Sequence, residues 1–522
     1  MNERVAIIGA GTMGRGITQV AAQAGHPVLL YDPYPQALDK ALAEIEAELQ
    51  KAAERGRLQG RVEEILERIE TVAQLEPCAQ AEWVIEAVPE QLELKQQLLG
   101  KLGELNPQAV LATNTSTLSI SAIAAKVPRP ERVVGLHFFN PAQRMKLVEV
   151  IPAVQTGEEV VHRALELSRR WGKEPVRVGD FPGFLVNRVA RPFYGEALKL
   201  HGEGVPREHV DWILRGMGFP MGPFELMDLI GLDVNYAASQ SVFKGMYAEP
   251  RYRPHTLQYQ RVAAGLLGRK SGEGWYKYPP GPPAPPAPPK ADPASAPLAF
   301  IVGPNALAQE LRARFRHTQE VSEADFVLDC RVLLERKADF LEDLPVVTLA
   351  WGHSASLASA SYGHRPVAGF SLVPPLGEQT IAEVMAPLSG PNAASEIAKR
   401  YFEAHGHTTL VLSDQPGGVG FRILALLINE AVSALAEGVA SAAEIDKAMR
   451  LGTGYPRGPL EWAEILWLKP VLRALEGLHA ELGEDRYRPN PLLRRMVAAG
   501  LESFGSIAGL TPGASPVSKE SA

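Results

Sequence analysis

Cysteine is nearly absent, with Cys78 and Cys330 the only two in 522 residues. Two thiols cannot build a disulfide framework, and they have no metal-ligand spacing, so the expectation is no metal and a reducing cytoplasm. No uninterrupted apolar run is long enough to cross a bilayer, and the opening MNERVAIIG carries no basic leader with a small-residue cleavage site. Blocks of like charge are also missing. A formal net charge of -7 offers no electrostatic attraction to nucleic acid or to an anionic membrane, so neither is expected as a partner. What remains is an ordinary globular chain, 46% hydrophobic and 22% charged, long enough for about three or four domains.

The first signal present is a short apolar run, RVAII at 4–8, followed at once by Gly9, Gly11 and Gly14, with Thr12 and Met13 inside the loop. A helical stretch and a second strand, PVLLYD, come next. The three glycines serve different ends. Gly9 permits a tight turn, Gly11 lets a pyrophosphate approach the backbone, and Gly14 lets the helix pack closely on the strand. The helix N-terminus would then hold the phosphate. Asp32 closes the second strand, where a carboxylate accepts from a ribose diol and repels a 2'-phosphate, which favours NAD over NADP.

From Gln36 to about Glu70 the composition reads as a helical hairpin, with Lys51, Arg55, Arg57 and Arg61 near its tip. Those cations could meet the phosphates of a large anionic substrate, but such a run is usually a solvated helix face, and no site is assigned there. Strand and helix signals then alternate through EWVIEAVPE, QLELKQQLLGKLGEL and AVLATN, which predicts a doubly wound parallel sheet. Ligands of such sheets sit at the carboxyl ends of strands, where Glu90, Asn114 and Ser116 fall. Ser116 has an alternative use as the cap of the following helix.

Residues 131–151 read as two apolar strands, VVGLHFF and KLVEVI, joined by a proline-containing turn. Each carries one polar residue, His137 and Glu149. An imidazole backed by a carboxylate is a common way to hold a general base in one tautomer. A core histidine satisfied by a backbone carbonyl is the plainer alternative. After a last strand, EPVRVGD, the chain turns helical, and Asn187 sits among apolar neighbours as either a core amide or a substrate ligand.

Residues 279–297, PPGPPAPPAPPKADPASAP, predict an extended spacer between domains. Beyond it the chain repeats itself in worn form. Gly9 is matched by Gly303, but Gly11 and Gly14 by Asn305 and Ala308; Ser371 stands for His137, Glu383 for Glu149 and Phe421 for Asn187. Residues that survive only in the intact copy are better candidates for chemistry than for packing, which favours His137 and Asn187; Glu149 gains nothing from that test.

Residues 4–278 resemble the L-3-hydroxyacyl-CoA dehydrogenase family through IGAGTMGRGI, VPE, ATNTSTLSI, VGLHFFNP, MKLVEVI, PGFLVNRV, MGPFELMDLIGLD and GRKSGEGWY. The two-copy layout with a proline-rich join is similar to long bacterial members associated with phenylacetate breakdown and short-chain acyl-CoA oxidation. This resemblance implies NAD as cofactor, an acyl-CoA thioester as substrate, His137 as base and Glu149 as its partner. It also implies Ser116 and Asn187 as donors near the reacting oxygen, and Asp32, Glu90, Lys95 and Asn114 as NAD contacts. Expected domains are a Rossmann-type NAD-binding domain (1–182), an all-α substrate and dimerisation domain (183–278), the linker (279–297), a degenerate Rossmann-like copy (298–414), a second helical domain (415–505) and a disordered tail (506–522). One active site per chain follows, with the copies forming an intramolecular pseudo-dimer and further homo-oligomerisation left open. Two other functions remain open: a dehydrogenase of a small hydroxy acid without CoA, and an NAD-binding structural protein.

Overall fold

The computed structural model describes residues 3–332, 344–363, 365–377 and 380–507. The expected disordered tail lies outside them from residue 508 onward. Two compact units emerge: one gathers the chain up to Arg188 together with Glu437–Thr453, the other holds Val189–Ala436 and the residues from Gly454.

In the first unit, short β-branched runs become β1 (Val5–Ile8), β2 (Val28–Tyr31), β3 (Ile69–Val72), β4 (Trp83–Glu86), β5 (Val110–Thr113), β6 (Val133–Phe138), β7 (Leu147–Pro152) and β8 (Glu174–Arg177). They form one sheet in the order β3-β2-β1-β4-β5-β6-β7-β8, parallel throughout except for the antiparallel β6–β7 pair. Helices α1 (Thr12–Gln23), α2 (Pro35–Glu54), α3 (Val62–Leu66), α4 (Leu92–Leu105), α5 (Ile120–Ala124) and α6 (Glu158–Arg170) provide the connections. Their apolar stripes close a core in which Ile7, Leu30 and Val148 join Ile17, Ile45 and Leu167. Strand β3 corrects the helical hairpin expected up to Glu70: its central Glu70 and Thr71 are exposed, so this edge strand has too little apolar pattern to read.

The second unit begins at the end of α7 (Val186–Val189) and contains α8 (Arg191–Gly202), α9 (Arg207–Gly216), α10 (Pro223–Ile230), α11 (Leu232–Gly245) and α12 (Thr256–Ala263). The proline spacer follows, extended and exposed, tied down where Trp212 Nε1 donates to Pro283 O (2.9 Å) and Asp292 N to Ala404 O (2.8 Å). A second sheet then forms from β9 (Ala299–Val302), β10 (His317–Thr318), β11 (Phe326–Asp329), β12 (Val346–Leu349), β13 (Val367–Ser371), β14 (Ile381–Met385) and β15 (Thr408–Leu412). Its order, β10-β9-β11-β12-β13-β14-β15, is that of the first sheet without β3, with the same single antiparallel step. Helices α13 (Ala306–Arg314), α14 (Ala355–Ser361), α15 (Ala393–Ala404), α16 (Gly420–Ala436), α17 (Ala442–Thr453), α18 (Pro459–Ile465), α19 (Leu468–Leu482) and α20 (Pro491–Ala498) complete the chain.

Helices exchange between the copies. Helix α17, late in sequence, packs on β7 and β8 of the first sheet, where Gly179 N donates to Val439 O (2.8 Å) and the buried Arg188 forms a two-point pair with Glu437 (2.8 and 2.8 Å). Its counterpart α9 packs on β14 of the second sheet. Within the second unit α8 lies against α16, and Glu196 accepts from Arg422 (2.5 Å), Tyr487 (2.6 Å) and Arg486 (3.3 Å). Burial raises the Glu196 carboxyl, but Arg422 and Arg486 outweigh it and hold the group below its usual range. The equivalent Glu430 accepts from Arg251 (3.0 Å) and Tyr252 (2.5 Å).

Candidate active site

Sequence places His137 near the carboxyl end of β6 and Glu149 on β7, and the antiparallel register sets them side by side. His137 Nδ1 lies 2.6 Å from Glu149 Oε2. Glu149 is fully buried, and its other oxygen accepts from the amides of Leu185 (3.2 Å) and Val186 (2.9 Å) at the start of α7. Both oxygens are therefore committed, which fixes the carboxylate and, through it, the imidazole ring. Rings of Phe139 (4.6 Å) and Phe184 (5.7 Å) flank that imidazole. The turn joining the two strands is pinned by Lys173, whose Nζ donates to Ala142 O (2.5 Å) and Met145 O (2.9 Å), and burial pushes this ammonium down to about 8. Asn187 follows Val186 directly on α7, and is half-buried rather than sunk in the core.

The carboxyl ends of β4 and β5 meet the same region. Asn114 Oδ1 accepts from Phe138 N (2.8 Å), the residue after His137. Glu90 Oε1 collects Thr115 Oγ1 (2.6 Å), Ser116 N (2.9 Å) and Thr117 N (3.0 Å), so it shapes the loop that presents Ser116. Burial raises the Glu90 carboxyl, yet Lys95 and these donors together bring it below its usual range. Lys95 is itself buried, its Nζ donating to Glu86 Oε1 (2.7 Å) and Val88 O (3.2 Å) and standing 3.3 Å from Glu90 Oε2. The cap of α5 is Ser119, whose Oγ accepts from Ala122 N (3.2 Å), which leaves Ser116 free of any capping duty. The clasp by Thr115 and Thr117, the pin by Lys173 and the contact by Phe184 escaped sequence reasoning. Only the polar triplet of residues 115–117 carried a visible signal.

A dinucleotide fits the glycine loop. Gly9 has φ 106°, and a Cβ there would stand 2.9 Å from Ala87 O; a Cβ on Gly14 would overlap Gly9 O. A Cβ on Gly11 meets nothing within 4 Å, which leaves open space over the uncapped N-terminus of α1, beside the exposed Thr12 and half-buried Met13. Asp32 Oδ2 accepts from Ala10 N (2.9 Å), holding the carboxylate at the loop's edge. Among the described residues no group of three His, Cys, Asp or Glu side chains could hold a metal, and no helix is long and apolar enough to cross a membrane.

The family model "3-hydroxyacyl-CoA dehydrogenase, NAD binding domain" matches residues 4–181, and the C-terminal domain model of that family matches twice, at 183–278 and 417–509. The chain belongs to the 3-hydroxyacyl-CoA dehydrogenase family. An Escherichia coli K12 relative named 3-hydroxyadipyl-CoA dehydrogenase is 42% identical over 509 residues, 96% of this chain and 99% of that one. A probable 3-hydroxybutyryl-CoA dehydrogenase of Deinococcus radiodurans, 42% identical, covers 52% of this chain with 99% of its own length. Among solved structures, a 3-hydroxybutyryl-CoA dehydrogenase from E. coli K12 superposes with TM-score 0.82 at 40% identity, over 96% of this chain and 99% of that one.

Membership in the 3-hydroxyacyl-CoA dehydrogenase family makes the second sheet informative as an internal reference. Ser371 pairs with Glu383 in the register of His137 with Glu149, and Glu383 accepts from the corresponding amides, Val419 N on Oε2 (2.5 Å) and Gly420 N on Oε1 (3.1 Å), where Glu149 takes both on one oxygen and keeps the other for His137. That places Phe421 at the position of Asn187. Gly303, at φ 123°, keeps the turn of Gly9. Asn305 caps α13 with its own side chain, Oδ1 accepting from Ala308 N (2.9 Å).

Proposed function

We propose that the chain oxidises (S)-3-hydroxyacyl-CoA to 3-oxoacyl-CoA with NAD, using His137 and Glu149 as the basic pair. The observation that carries this reading is the 2.6 Å contact between His137 and a Glu149 whose remaining oxygen is committed to two amides. With Nδ1 tied to the carboxylate, Nε2 is the atom left to take the proton of the 3-hydroxyl. Bound NAD supplies the acceptor for the hydride from carbon-3. Glu149 stabilises the imidazolium that results, and the Ser116 hydroxyl and Asn187 amide donate to the oxygen as negative charge builds on it. Gly9, Gly11, Thr12, Met13 and Gly14 hold the pyrophosphate, and Asp32 the adenosine ribose. Asn114, Glu90 and Lys95 shape the nicotinamide side, Lys95 acting from its buried place through Glu90.

The second α/β layer is a copy that has lost dinucleotide binding, and the Asn305 cap supports this: it satisfies the helix end that a phosphate would occupy. The domains of the chain divide near 182, 278, 297, 414 and 505. The fused copies act as an internal dimer, a reading supported by the reciprocal pairs Arg188–Glu437 and Arg422–Glu203, and Glu196 and Glu430 with their Arg–Tyr partners. Residues 1–280 expressed alone should then self-associate or aggregate; a stable, fully active monomer in analytical ultracentrifugation overturns the idea.

The names of the relatives favour hydroxybutyryl and hydroxyadipyl thioesters first among substrates; the reading of a cytoplasmic enzyme in phenylacetate or fatty-acid breakdown rests on the sequence resemblance alone. Comparing acetoacetyl-CoA with free acetoacetate as oxidant of NADH tests the class. Turnover of the thioester alone is the expected result, and preference for the free acid would reassign the enzyme to small hydroxy acids.

A further inference from the structure

Five non-glycine residues among those described have positive φ, and four of them, Arg129, Tyr247, Ala248 and Trp467, are exposed. The fifth is Phe184, at φ 49° and 1% exposed. A left-handed backbone costs an ordinary residue about 1–2 kcal/mol relative to the right-handed form, while glycine adopts it freely. The turn needs this conformation: Gly183 (φ 78°) and Phe184 in succession aim the next two amides, Leu185 and Val186, at one oxygen of Glu149.

The second copy also makes a left-handed turn here and brings the next two amides to its carboxylate, one to each oxygen. There Gly417 (φ 84°) and Gly418 (φ 63°) precede Val419 and Gly420, whose amides reach Glu383. Glycine is therefore sufficient for the turn and for the carboxylate. What the first copy adds at this position is a ring, 5.7 Å from the His137 imidazole, opposite a worn counterpart in which Ser371 has replaced the histidine. Strain is kept where the imidazole is, and relieved where it is gone.

We infer that Phe184 is a positioning residue for the basic pair: its ring walls the His137 imidazole and keeps water from the hydrogen bond to Glu149, at the cost of a backbone that suits glycine. The inference rests on the function proposed above. A carboxylate–imidazole hydrogen bond strengthens as water is excluded from it, and a ring held on one side cannot tilt away from its partner. Phe139, the other flanking ring, lies two residues along the chain from His137, with its centroid 4.6 Å away.

The test compares Phe184→Gly, Phe184→Ala and Phe184→Leu in the full chain, with acetoacetyl-CoA and NADH carrying deuterium at the transferred position. Wild-type turnover and its loss in His137→Ala check the proposed function separately. Phe184→Gly reproduces the second copy's turn, and its kcat should fall about 10- to 100-fold, a fraction of what a general base contributes. KM for NADH should hold within about twofold, and the primary isotope effect on kcat should rise as the chemical step becomes limiting. Phe184→Leu, which refills the space, should recover most of kcat. Phe184→Ala removes the ring without relaxing the backbone and should share the kinetic signature of Phe184→Gly, so it serves if the glycine variant does not fold. The inference is overturned by a kcat near wild type in Phe184→Gly or Phe184→Ala, or by a loss whose isotope effect does not move and which leucine does not rescue, since a partly misfolded preparation behaves that way.

Discussion

At one register position the first sheet sets His137 against Glu149 and the second sets Ser371 against Glu383. Both carboxylates are fully buried and both accept two backbone amides from the turn that starts a helix. The carboxylate and its amides thus belong to the architecture, holding the sheet to the helical region. The histidine, the amide of Asn187 and the ring of Phe184 belong to the first copy alone. Without an imidazole beside it, Glu383 is left with burial as the dominant influence, and its carboxyl is pushed up to about 7 despite the two amide donors.

The largest effect should come from removing the residue that most separates the copies. His137→Ala should lower kcat about 10³- to 10⁴-fold while the dissociation constant for NAD stays within about twofold, read by stopped-flow turnover and calorimetric titration. Retained turnover would make His137 as structural as Ser371. Asn187→Ala should cost about 10²- to 10³-fold in kcat, the usual loss when one donor to a developing oxyanion is removed. Phe421→Ala, its counterpart, should change stability but not kcat, and an equal catalytic loss from both would erase the distinction.

How far such contrasts can be read without a structure depends on where the information sits. The glycine loop, Asp32 and the His137–Glu149 strands were legible because turn chemistry and period-2 patterning are local, and the same holds for the repeat that placed Ser371 and Phe421. Strand β3 was hidden because its exposed Glu70 and Thr71 break the apolar run. Lys95 entered the sequence reading only through the family resemblance, as an NAD contact; the fold buries it against Glu86 and Glu90. Phe184 reads as one more core aromatic, since nothing in PGFLVNR announces a left-handed backbone.

A smaller effect concerns the second copy and pH. The Glu383 carboxyl is raised in the folded chain from an ordinary 4.5 to about 7, so the folded state holds more protons than the unfolded one between those values. Stability from this group is present below about pH 4.5 and is lost as pH rises toward 7. Glu383→Gln sets an NH2 against one of the two amide donors and so lowers Tm at either pH, but the loss relative to wild type should be smaller at pH 8 than at pH 5, by an amount worth up to about a few kcal/mol. Equal shifts at both values would mean that the carboxyl ionises without penalty and that the two copies differ less than their pairs suggest. Smallest of all, Asp32→Ala should weaken NAD about tenfold and narrow the preference over NADP, about 1.4 kcal/mol of contact at the ribose. An unaltered cofactor ratio, measured by steady-state kinetics with both nucleotides, would remove Asp32 from that role.

The paired contacts at Glu196 and Glu430 bear on how this chain can change over time. In a dimer of identical subunits any substitution near the axis appears on both sides at once, so a damaging change is suffered twice and a compensating one must suit two symmetry-related settings. Two copies in one chain, acting as the internal dimer proposed above, escape that constraint. Glu196 accepts from Arg422, Arg486 and Tyr487, and Arg251 and Tyr252 are among the partners of Glu430. On that reading each side can be altered singly, which would let one half drift toward scaffolding while the other stays under selection for turnover.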